Sequence, residues 1–70
     1  MSVQSAIASK VTQVYGDQTP RIYKGNDYDG VRQATGWWYQ PFNASPVFLG
    51  SSKAEALATL DDIKSSWEQD

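Results

Sequence analysis

The chain reads as a small α+β domain: a three-stranded antiparallel sheet with an N-terminal and a C-terminal helix, in the order α-β-β-β-α. Three observations predict this. Apolar residues recur at helical spacing near both ends of the chain. Between them lie short runs with strand propensity. The turn-rich segments that separate those runs are too short for a parallel crossover, which needs a dozen or more residues. At 70 residues, with no repeat and no linker, the chain is expected to form one domain over 1–70.

Val3, Ile7, Val11 and Val14, with Ala6 beside them, form an apolar stripe that predicts a helix over 2–15. Ser2 suits its N-cap, and Gly16 suits the left-handed position after its last turn. Asp17 to Pro20 is a connector. Arg21-Ile22-Tyr23-Lys24 is extended, and Gly25 to Gly30 is dense in turn formers. Gly36-Trp37-Trp38-Tyr39-Gln40 has strong strand propensity, Pro41 to Pro46 interrupts it, and Val47-Phe48-Leu49 resumes it, which predicts a hairpin. Ser52-x-x-Glu55 is a capping box. Ala56, Leu57, Leu60, Ile63 and Trp67 follow the helical period after it, so the last helix is expected over 52–67, with Asp61, Asp62, Lys64 and Ser65 facing water. Leu57, Leu60 and Ile63 are expected to pack on Ile22 and on Phe48 or Leu49.

With no cysteine and no histidine, neither a disulfide nor a Cys/His zinc site can staple the fold. Packing must hold it, and the three tryptophans are the largest apolar groups available. The same two absences remove the commonest general base and the best nucleophile. Ser51 and Ser52 are accounted for by helix capping, and the scattered glycines form no phosphate-binding loop. Asn26 to Gly30 fails as a calcium loop: in that register the first and twelfth ligands would be Gly25 and Gly36. Asp61 and Asp62 diverge on their helix and make no acid/base pair. An enzyme is therefore not expected, nor any metal or cofactor.

Net charge is −2, and the six basic residues are dispersed, although Arg21, Lys24 and Arg32 could meet on one sheet edge. Duplex DNA is thus an unfavoured partner. No apolar run is long enough to span a bilayer. The N-terminus lacks the basic start and apolar centre of a secretory signal, so a cytoplasmic location is expected and the Asn43-Ala44-Ser45 glycosylation match is accidental.

The aromatic strand points to function. Alternation sends Trp37 and Tyr39 to one face and Trp38 with Gln40 to the other, while two helices cover only one face. Trp38 is expected to face the helices, and Trp37 with Tyr39 to face outward. Exposed aromatics mark interaction sites. The expected function is a non-catalytic protein-binding module, a regulator, inhibitor or adaptor, whose partner is another protein or a second copy of itself. Its candidate binding residues are Tyr23, Arg32, Trp37, Trp38 and Tyr39. Two alternatives stand beside it. One is a nucleic-acid-binding β-β-β-α domain, a layout that uses its sheet to read the major groove. The other is a small-ligand or nucleotide binder that stacks a ring on Trp37 or Trp38, with Arg32 or Lys24 on an anionic group.

Overall fold

The computed structural model describes residues 2–68. Helix α1 runs Val3–Tyr15, strand β1 Arg21–Tyr28, β2 Gln33–Gln40, β3 Val47–Gly50 and helix α2 Lys53–Glu68. The α-β-β-β-α order is the one the sequence predicts, and the three strands form an antiparallel sheet in the order β1-β2-β3.

Both helices begin where capping chemistry directs. Ser2 Oγ accepts the Ser5 N–H at 3.0 Å, and Gly16 closes α1 in the left-handed region (φ 77°), its N–H donating to Thr12 O. At α2, Ser52 Oγ accepts from the Glu55 N–H. The return bond differs from the capping box read in the sequence. Glu55 Oε2 accepts from the N–H and the hydroxyl of Ser51, one residue earlier. That hydrogen bonding holds the Glu55 carboxyl below the usual carboxylate range.

β1 is longer than expected. Gly25, Asn26 and Asp27 have turn propensity, yet they lie in the strand and pair with Gly36, Thr35 and Ala34. Side-chain hydrogen bonds support that part of the ladder: Asn26 Nδ2 donates to Thr35 Oγ1 at 2.7 Å, and Gln33 Nε2 donates to Asn26 Oδ1. The turn itself is confined to Asp29–Arg32. Asp29 Oδ1 accepts from the N–H groups of Val31 and Arg32, both at 2.8 Å, in an Asx-type closure that lowers the Asp29 pKa.

The core forms where α1 and α2 cover one face of the sheet. It joins Ile7 and Val11 of α1, Ile22, Tyr39 and Leu49 of the sheet, and Ala56 and Leu60 of α2. Leu57 packs at its margin, Ile63 is half-buried, and Asp61, Asp62, Lys64 and Ser65 are exposed. Of the two β3 candidates, Leu49 enters this core and Phe48 does not. The pairing register explains why. Phe48 faces Trp38 and Val47 faces Tyr39, so Phe48 lies on the helix-free side and Leu49 turns toward the helices. Trp37 then faces Gly50, which makes Leu49 the extra residue of a β-bulge. At the bulge the strands approach closely: a Cβ on Gly36 would overlap the Gly50 carbonyl oxygen and lie 2.9 Å from the Phe48 ring. Only glycine fits there. Lys10 and Asp61 form an ion pair between the helices.

Candidate functional site

Cross-strand partners share a face, so the register assigns each side chain. Ile22 with Tyr39 and Lys24 with Trp37 lie on the helix-covered face; Arg21 with Gln40, Tyr23 with Trp38, and Asp27 with Ala34 lie on the other. The expected direction of the aromatic strand is thereby reversed. Tyr39 points into the helix-covered core and is 3% exposed. Its hydroxyl donates to Asp17 Oδ2 at 2.9 Å, and burial, followed by this bond, pushes its pKa up to about 12. Its ring also meets Tyr15, which in turn meets Trp67 edge-on. Trp37 is half-buried at the core margin, with the Lys24 ammonium 5.8 Å from its ring centroid. Neither residue faces outward on the bare side of the sheet. The reversal has a physical cause. Ile22 and Leu49 are the apolar positions of the flanking strands, and their neighbours on β2 follow them against the helices.

Trp38 lies on the helix-free face and is nonetheless fully buried. Phe48 tilts against it with ring centroids 5.2 Å apart, and Tyr23 flanks it from β1. The indole Nε1 donates to the Gly25 carbonyl at 3.1 Å. Tyr23 donates its hydroxyl to Asp27 Oδ2 at 2.6 Å, four residues along the same face, which draws its ring along the strand. Burial and then this bond push the Tyr23 pKa up to about 12, and the same bond lowers that of Asp27. The phenol therefore stays protonated at neutral pH and keeps donating to Asp27. The result is a second, smaller aromatic core on the side that no helix covers.

Around Tyr23 lies a polar rim. Arg21, Tyr23, Asp27 and Gln40 line a shallow hollow of about 260 Å³. A neighbouring one of about 350 Å³ shares Arg21 and Gln40, and adds Asp17, Thr19, Pro41, Phe42 and Asn43. Gln40 Nε2 donates to the carbonyls of Pro41 and Ala44 and so shapes the β2–β3 loop, in which Asn43 adopts positive φ. Phe42, on that loop, is 90% exposed. Arg32 sits elsewhere, in the β1–β2 turn, where it lines a third hollow with Phe48, Glu55 and Asp62. Arg21, Lys24 and Arg32 consequently do not meet on one edge: two lie on opposite faces of β1 and the third in the turn.

Of the five residues singled out from the sequence, Tyr23 and Trp38 come together on the helix-free face, while Arg32, Trp37 and Tyr39 do not join them. Sequence reasoning missed Arg21, Gln40, Phe42 and Phe48 as a group. The available signal was Phe42, a large apolar residue set between Pro41 and Asn43 in a loop of turn formers. Among the described residues no helix is long and apolar enough to cross a membrane. The fold and this face define a two-layer α+β scaffold with one layer of helices and one bare sheet surface. Comparison with protein-family models, curated proteins and solved structures gives no match, so any functional reading rests on this geometry.

Proposed function

We propose that the chain is a non-catalytic protein-binding module, a small regulator, inhibitor or adaptor, whose partner docks on the helix-free face. The observation that carries this reading is Phe42, 90% exposed beside a sheet surface whose Tyr23 and Phe48 have no second layer over them. An exposed aromatic next to an arginine without an ion-pair partner is the composition of an interaction anchor. Arg21 meets that description among the described residues. The aromatic surface is thus formed by Tyr23, Phe42 and Phe48 with Arg21 and Gln40, and Trp38 acts as its foundation.

Affinity capture from the native host, read by mass spectrometry, tests this proposal with two variants. Phe42→Ser should weaken the captured complex by about 2 kcal/mol, roughly thirtyfold, with the melting temperature unchanged. Gln13→Ala, on the exposed side of α1, should leave it intact. Equal capture by parent and Phe42→Ser removes the reading.

Charge supports a protein over duplex DNA as the partner. The helix-free face carries Arg21 and Asp27, one charge of each sign, and the other basic side chains are spread over the opposite face, the turn and the helices. Such a surface lacks the basic stripe that phosphate contacts require. In an anisotropy titration at about 150 mM salt, no submicromolar binding to duplex DNA is expected. Tight binding that weakens steeply as salt rises would promote the nucleic-acid alternative. Ring stacking on Trp38 is disfavoured as well, because that indole has no free face.

A further inference from the structure

Strand β1 is an edge. It has one neighbour in the sheet, and its eight residues pair with β2 without a bulge. In an antiparallel ladder, backbone groups point alternately toward the partner and away from it. Two hydrogen bonds identify which do which. Gln4 Nε2, from α1, donates to the Ile22 carbonyl, and the Tyr28 N–H donates to Asp27 Oδ1. Ile22, Lys24, Asn26 and Tyr28 therefore turn their backbone groups outward. Gln4 covers the edge only at the Ile22 carbonyl, and an edge open along the rest of its length is a template for another strand.

The charges along this edge are ordered. Arg21 and Lys24 precede Gly25, while Asp27 and Asp29 follow it. Neither Arg21 nor Lys24 enters an ion pair among the described residues. The geometry points to a second copy of this chain as the strand that docks here, antiparallel, about a twofold axis through Gly25. In that register Arg21 faces Asp29 of the second copy, Ile22 faces Tyr28, Lys24 faces Asn26, and Gly25 faces its own mate. The basic half of each strand lies on the acidic half of the other, where opposite-charge cross-strand pairs stabilise and like charges do the reverse. Parallel pairing would set like against like.

Backbone satisfaction selects the same register. The Ile22 carbonyl and the Tyr28 N–H, already bonded within the chain, are the two groups that this register sets opposite each other. A slip of two residues either way sets one of them against an unsatisfied group, leaving a buried donor or acceptor without a partner. One of those slips also opposes Lys24 to Lys24. The contact is isologous, and its axis runs perpendicular to the sheet. It makes one six-stranded sheet with all helices on one side, and it joins the two helix-free faces into a continuous surface. The pairing goes beyond partner docking and does not depend on it.

Cysteine pairing tests the register, because the chain has no cysteine of its own. A Cβ at Gly25 meets nothing within 4 Å, so Gly25→Cys is accommodated. On the axis the two Gly25 residues form a non-hydrogen-bonded pair with Cα atoms about 4.5 Å apart, within disulfide reach. Tyr28→Cys is the control, since its two thiols would lie about 20 Å apart. Under a mild oxidant, Gly25→Cys should form covalent dimer roughly tenfold faster or more than Tyr28→Cys. Adding Arg21→Glu should slow that reaction by a similar factor, and the unmodified chain should sediment as a dimer that dissociates as salt rises. Equal rates for the two cysteine variants, or a monomer up to millimolar concentration, overturns the proposal. The Phe42→Ser capture experiment is read separately, so either result can fail without the other.

Discussion

Trp38→Ala should lower stability by about 3–5 kcal/mol, the largest loss expected from any single truncation in the chain. The indole is fully buried, yet no helix lies on its side of the sheet. Tyr23 and Phe48 flank it, and Tyr23 is tethered through its hydroxyl to Asp27. That tether restricts how far the Tyr23 ring can fall into the space the indole leaves, and incomplete collapse is what raises the cost of a cavity. The variant also deprives the Gly25 carbonyl of its Nε1 donor. A domain of 70 residues has roughly 0.05–0.15 kcal/mol of stability per residue, so the loss would consume much of the total. Trp37→Ala, at the half-buried margin of the other core, should cost clearly less. Thermal melts followed by far-ultraviolet circular dichroism compare the two variants. If Trp38→Ala melts with the parent, the second aromatic core does not hold the sheet.

Leu60→Ala should cost about 2–5 kcal/mol. Leu60 is fully buried on α2, in the cluster that brings Ile7 and Val11 of α1 together with Ile22, Tyr39 and Leu49 of the sheet. Its removal opens a cavity where the two helices and the sheet meet, so no single element can shift to fill it. The urea midpoint should fall while the slope of the transition stays near that of the parent, since the surface exposed on unfolding changes little. An unchanged midpoint would mean that α2 does not dock through this residue.

Together the two substitutions separate the layers of the fold. Leu60 reports on attachment of the helices, and Trp38 reports on the face they leave bare. That division matters for function. Under the proposed function, an outer face with its own aromatic core holds Tyr23 and Phe48 in place before a partner docks. A surface fixed in advance loses less conformational freedom on binding.

Residues that act on their immediate neighbours were legible in the sequence. Ser2 and Gly16 bound α1, and Ser52 starts α2, because a cap is satisfied within one helical turn and needs nothing distant. The apolar periods of both helices, the strand propensity of Trp37-Trp38-Tyr39, and turns too short for a crossover sufficed for the α-β-β-β-α order. Alternation likewise separated Trp37 from Trp38. Three features were decided only by tertiary structure. Gly25 to Asp27 became strand because Thr35 and Gln33, across the ladder, bond Asn26 and outweigh local turn propensity. Leu49 rather than Phe48 entered the core because Phe48 pairs with Trp38 on the helix-free face, and alternation then turns Leu49 toward the helices. The side of the sheet that the helices cover was undetermined as well. Alternation is symmetric under exchange of the two faces, and that symmetry is broken only when Ile22, Tyr39 and Leu49 meet α1 and α2 in space.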